Sequence, residues 1–164
     1  MKPTHFLIAG FFFISACSNS SKGTSVPNNT DSTVKWSKLQ SGNQCSMETA
    51  MNAVITSQEQ LDEIWVKAFT MDMPPEKLNV DFTKNSVVVL FLGSVNKGGH
   101  SIEITGIKNS DEKGFQIGAE HKLPGKNCMS TMAIEFPYFI GLTDIVLSGK
   151  TEFTVTKKEI DCEL

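Results

Sequence analysis

Ser86-Val87-Val88-Val89-Leu90-Phe91-Leu92-Gly93 is the stretch on which the fold turns. It is apolar from Val87 to Leu92, β-branched in its first half and stopped by glycine. An amphipathic helix would repeat every 3.6 residues and a half-exposed strand every two; this run does neither. A strand covered on both faces reads this way, so the segment predicts a central strand with a layer packed on each side.

On its C-terminal side, Gly93 to Gly99 turns the chain. Ser101-Ile102-Glu103-Ile104 then alternates on to Ile107, which predicts the second arm of a hairpin with the central strand. Asn109 to Gly114 is the next turn, and Phe115, Ile117 and Ala119 alternate on the strand after it. Thr131 to Leu142 returns as strand, with Pro137 arguing for an edge or a bulge. Ile145-Val146-Leu147, a Ser148-Gly149 turn and Phe153-Thr154-Val155 close the chain.

On the N-terminal side, Ser57-Gln58-Glu59-Gln60 has the form of a capping box, Ser57 serving the backbone and Gln60 reaching back. Leu61, Ile64, Trp65 and Ala68 follow at i, i+3, i+4 and i+7, one stripe of a short helix. Met73-Pro74-Pro75 blocks its continuation. Val34 to Leu39 and Cys45 to Ile55 read as strand. The expected fold is therefore mainly β (α+β): an antiparallel, sandwich-like domain over residues 34–164 with one packed helix at about residues 58–69.

Residues 1–16 read as a leader. Lys2 precedes the apolar run Phe6 to Ile14, then Ser15-Ala16-Cys17. The run is too short for a membrane span, which needs about 20 residues. Ile14-Ser15-Ala16-Cys17 resembles the bacterial lipobox, which implies cleavage before Cys17 and acylation of that cysteine. Each buried methylene contributes about 0.8 kcal/mol, so several long chains hold a protein on a membrane where one would not. From Cys17 to Thr33 the chain is polar, with too little apolar surface to offset ordering, and reads as a disordered tether. Ser18 follows the lipid cysteine where many inner-membrane lipoproteins carry aspartate, which favours the outer membrane and a periplasm-facing domain.

The 164 residues are 40% hydrophobic and 20% charged with a formal net charge of −3, ordinary for a single globular domain. All fifteen basic residues are lysine. An acidic chain without arginine lacks the residue best suited to bidentate phosphate and guanine contacts, which argues against nucleic acid. Cys45, Cys128 and Cys162 remain besides Cys17. Three pairings are open in an exported protein; Cys128–Cys162 is favoured because it would pin the chain end. On the chain-entropy model it would contribute about 3–4 kcal/mol.

These thiols, His100 and His121 are scattered singly, without the close-spaced pairs of zinc sites, so neither metal nor cofactor is expected. GxSxG and HExxH are missing, and the acids show no paired spacing. The chain does not read as an enzyme.

The order of signals resembles the C-terminal domain of the PrcB protease-complex subunits. The features shared are a helix with a late tryptophan (Trp65), the pair Asp81-Phe82, and the apolar strand Val87 to Gly93. Lys97-Gly98-Gly99-His100 stands where that family carries Thr-Gly-Gly-Tyr, followed by Ser101-Ile102-Glu103-Ile104 and later Phe136-Pro137-Tyr138. The likeness spans roughly residues 43–162. It implies a module that binds or stabilises a partner, in the namesake a surface protease.

Two segments then stand out as contact candidates. In Lys97-Gly98-Gly99-His100 the glycines either supply positive φ to a hairpin, with Lys97 and His100 solvated, or let a partner approach the backbone. Pro137-Tyr138 is either an edge-strand contact or a core residue with a satisfied hydroxyl. The expected function is a membrane-anchored, non-catalytic binding module of the cell envelope, plausible as an accessory subunit of a protease complex. A loop-type protease inhibitor is the alternative, and a hydrolase with an unrecognised site a weaker one.

Overall fold

The computed structural model describes residues 32–70 and 74–162. The leader, Cys17 and nearly all of the tether lie outside them. Eight strands and one helix follow in the order β1 (Ser32–Val34), β2 (Trp36–Gly42), β3 (Met51–Ile55), α1 (Gln58–Ala68), β4 (Val87–Phe91), β5 (Ser101–Ser110), β6 (Gly114–Pro124), β7 (Tyr138–Thr143) and β8 (Thr151–Ile160). They form two four-stranded sheets: an outer one ordered β1-β5-β6-β8 and an inner one ordered β2-β7-β4-β3. β1 begins two residues inside the stretch read as tether, because Ser32 and Thr33 pair with Asn109 and Lys108.

The inner sheet is covered on both faces, and β4 shows why its sequence does not alternate. Val88 and Leu90 point into the core between the sheets, with Ile102, Ile104, Ile107, Phe115, Ile117 and Phe139. Val87, Val89 and Phe91 point the other way, against Leu61, Trp65, Ala68 and Phe69 of the helix segment. Every β4 residue is at most 1% exposed. The mainly β, sandwich-like architecture with one packed helix is thus built around the segment that predicts it.

The helix starts as its sequence indicates. Ser57 Oγ accepts from Gln60 N–H at 3.2 Å, while Gln60 Oε1 accepts from Thr56 N–H at 3.1 Å, one residue before the cap. Gln58 adds a clamp that the sequence does not announce. Its side chain donates to Leu78 C=O (3.0 Å) and accepts from Val80 N–H (3.2 Å), holding the incoming loop on the first helical turn. The helix stops at Ala68, ahead of the prolines, as Phe69 turns its ring into the core 4.7 Å from Trp65.

Three strand expectations are corrected. β4 and β5 are not a hairpin: β4 lies between β3 and β7, β5 between β1 and β6, and residues 93–100 cross from one sheet to the other. The two strands differ in burial, β4 on both faces and β5 on one, so they belong to different layers. The strand expected from Thr131 begins only at Tyr138, preceded by a lone bridge between Val95 and Glu135. It is interior, between β2 and β4, and Pro137 stands at its mouth, where its carbonyl accepts from Leu92 N–H at 3.0 Å. Finally, β8 runs parallel to β6. The chain leaves the outer sheet after β6, passes through β7 and returns, the long crossover that parallel neighbours require.

Candidate functional site

β5 is ten residues long, so the outer sheet has two poles roughly 30 Å apart. One holds the β5–β6 turn, and the chain enters β1 there, Ser32 facing Asn109. The other holds the crossover turn at residues 97–100 and the loop between β6 and β7. Those two segments are bonded to each other. Val95 and Glu135 exchange both backbone hydrogen bonds (2.9 and 3.0 Å), and Gly98 N–H donates to Thr131 C=O at 3.0 Å. Gly99 N–H donates to Glu135 Oε2 at 3.2 Å.

The two glycines act differently. Gly99 takes φ +90°, the left-handed region that disfavours any side chain. Gly98 has no such φ but is buried, and a Cβ on it would collide with Thr131 Oγ1 and come within 2.8 Å of Glu135 Oε1. The turn is therefore an inter-sheet brace and not the hairpin connection of the structural reading. Lys97 is exposed beside it.

His100 leaves the turn half-buried, its Nδ1 2.9 Å from Nε2 of His121 on β6. Burial pulls both imidazoles below their usual pKa. Glu135 partly opposes this at His100 and Lys97 adds to it; His121 is lowered further by His100 and Lys157. His100 also borders a cleft of about 280 Å³ with Lys38, Asn43, Glu103 and Tyr138.

The loop beyond β6 is stapled. Cys128 is bonded to Cys162, just past β8, with Cα atoms 5.0 Å apart and 34 residues of separation. Gly125 N–H donates to Ile160 C=O at 2.9 Å on the same side. Held in this way, the loop still exposes Met129 (101%), Met132 (88%) and Ile134 (63%). Three large apolar side chains exposed on one braced loop make it a candidate contact surface. Sequence reading missed them because a strand over residues 131–142 would have alternated Met132 and Ile134 inward.

Pro137 and Tyr138 do not belong to this surface. Both are buried, and the Tyr138 ring packs 5.1 Å from Phe69 and 6.3 Å from Phe91. Its hydroxyl accepts from Gln40 Nε2 at 3.0 Å, and burial raises its pKa. Pro137 offers a partner nothing without opening the core, and Tyr138 only the edge that lines the cleft beside His100. Of the contact candidates, Lys97, Gly98, Gly99 and His100 lie together at the loop pole; Pro137 and Tyr138 lie beneath it.

Several acids are paired with lysine or hydroxyl groups on the surface. Asp62 and Asp81 sit below the usual carboxylate range, held by Lys77 and by Thr83; Lys150 does the same for Glu152. Glu103 pairs with Lys122, and Glu120 with Lys158 at 3.8 Å. Cys45 is buried, donates its thiol to Phe136 C=O at 3.3 Å, and has its pKa raised by burial, the opposite of an activated nucleophile. Among the described residues no three histidine, cysteine or acidic side chains gather into a metal-binding group. No helix among them is long and apolar enough to cross a membrane.

No curated protein and no solved structure matches the chain. A model of the family described as PrcB C-terminal matches residues 86–140, a narrower span than the resemblance read from the sequence. The matched span runs from β4 through the glycine turn, the β5–β6 hairpin and the stapled loop into β7. Over residues 86–140, therefore, the chain is similar to the family described as PrcB C-terminal.

Proposed function

We propose that the protein is a membrane-anchored, non-catalytic binding module of the bacterial envelope, an accessory subunit that docks a protease or another envelope protein through its loop pole. The observation that carries this reading is the braced loop, with Met129, Met132 and Ile134 exposed beside the Lys97–His100 turn. The opposite pole receives the chain at Ser32, so a tether of roughly 20–24 Å from Cys17 would hold that pole toward the lipid. The apolar loop would then face away from the membrane, toward a protein partner and not toward acyl chains. The PrcB C-terminal match points to the same kind of role.

The test is recovery of the full-length protein from membranes in mild detergent, C-terminally tagged, beside a Met129→Ser/Met132→Ser/Ile134→Ser variant. One stoichiometric envelope protein held by the native form and lost from the variant, at equal Tm, supports the reading. Equal recovery by both, or nothing stoichiometric with either, removes it. A stapled, exposed loop also suits an inhibitor, and the captured protein decides this. Peptidase activity that falls on adding the module identifies an inhibitor; activity that persists identifies an accessory subunit.

A further inference from the structure

β8 closes the outer sheet with ten residues in unbroken register on β6 and nothing on its other side among the described residues. Thr154 to Ile160 are all exposed. Sheet edges are usually protected by shortness, proline, a bulge or charged side chains, since a bare edge templates pairing with another strand. This edge is long, regular and free of proline, and its only such device is charge of both signs, Glu152 and Glu159 with Lys157 and Lys158.

The backbone fixes which groups face outward. Lys150 and Ile160 direct their carbonyls to Phe115 and Gly125 N–H on the β6 side. Backbone groups alternate along a strand, so even-numbered residues bond β6. Thr151, Phe153, Val155, Lys157 and Glu159 present N–H and C=O outward.

We propose that this edge is a homodimer interface: two copies pair antiparallel through β8 about a two-fold axis at Val155, fusing their outer sheets. In that register every outward-facing residue meets an outward-facing residue, giving roughly ten inter-chain backbone hydrogen bonds. Glu152 of each copy faces Lys158 of the other, and Thr154 faces Thr156. These fall at the non-hydrogen-bonded sites, where side chains stand closest and opposite charges stabilise the pair. Sliding by two residues one way sets Lys150 against Lys158; sliding the other way leaves Glu152 against Ile160. Only the Val155-centred register is charge-matched. Of the pairs these residues now make, Lys150–Glu152 is largely exposed and Lys158–Glu120 is long at 3.8 Å with the lysine exposed, so both cost little to rearrange. A single strand pair buries less than the roughly 1,200–2,000 Å² of a stable interface, so the dimer is weak in dilute solution and grows with local concentration.

Cysteine cross-linking in the full-length protein tests the register. Val155→Cys places two thiols across the axis, at the Cα spacing of about 5.5 Å that a disulfide accepts. Thr151→Cys places them roughly 26 Å apart. Under mild oxidation Val155→Cys should give at least tenfold more covalent dimer than Thr151→Cys or the unmodified chain. Adding Lys158→Glu should reduce it several-fold, and further adding Glu152→Lys should restore it. Val155→Pro removes an N–H that points away from β6, so it should abolish association in sedimentation with Tm near native. Equal cross-linking at 151 and 155, or a Lys158→Glu effect that is missing or is not reversed by Glu152→Lys, overturns the proposal.

Discussion

His100 Nδ1 and His121 Nε2 are 2.9 Å apart, joining the glycine turn to β6 through one shared proton. One nitrogen donates and the other accepts, so the contact tolerates one neutral pair or one added charge and opposes a second. Burial holds both folded pKa values below the ordinary 6.5. The unfolded chain therefore takes up protons first. The stability from this pair is fully present above about pH 6.5 and is lost as pH falls through the folded values. Thermal melts between pH 7.5 and 5.5 should show a falling Tm in the native protein and a flatter profile in His100→Gln/His121→Gln. Matching slopes would show that the pair does not titrate as its surroundings dictate.

Gly93 and Gly98 should respond oppositely to alanine. Gly93 takes φ +75°, and a Cβ there would lie 2.7 Å from Glu48 C=O, which is backbone and cannot swing away. The strained φ alone costs about 1–3 kcal/mol, and the clash adds to it. At Gly98 the obstructing atoms are the ends of the Thr131 and Glu135 side chains, which can move. Gly98→Ala should keep Tm within a few degrees of native while weakening partner capture; Gly93→Ala should unfold at clearly lower denaturant. The reverse order would refute the brace described here.

The Cys128–Cys162 bond should stabilise one end of the molecule. Its loop of 34 residues corresponds to about 3–4 kcal/mol on the chain-entropy model. Hydrogen exchange on Cys128→Ser/Cys162→Ser should show deprotection at residues 125–135 and the end of β8, with β4 still slow to exchange. Uniform loss of protection would mean that the bond holds the whole fold.

Tyr138→Phe separates a core role from a contact role. Loss of the hydroxyl leaves Gln40 Nε2 without its partner and should cost about 0.5–1.5 kcal/mol in denaturant unfolding. Partner recovery should be unchanged. A large drop in recovery with intact stability would place Tyr138 at the interface after all.

The parts of the fold legible in the sequence are those where one residue's neighbours in the chain decide its burial. The unalternating Val87–Phe91, the alternating Ile102 to Ile107 and the Leu61-Ile64-Trp65-Ala68 stripe each report their own layer. Which strand lies beside which is a long-range property, and there the reading failed. A Gly98-Gly99 turn between two strands looks like a hairpin, and only the mismatch between two-sided β4 and one-sided β5 reveals a crossover. The site was half legible for the same reason. Gly98, Gly99 and His100 are conspicuous as sequence, whereas Met129, Met132 and Ile134 look like core until Pro137 is seen to delay β7. The meeting of His100 with His121 depends on β5–β6 pairing that spacing does not show.

Site-specific photo-cross-linking in cells of the native host tests the central claim most directly. A photoreactive residue is placed at Met132, at the loop pole, and separately at Asp111, in the β5–β6 turn at the pole where the chain enters. The account predicts one discrete protein adduct from position 132 and none of that mass from position 111. Adducts to the same protein from position 111 alone, or only lipid adducts from position 132, would contradict it.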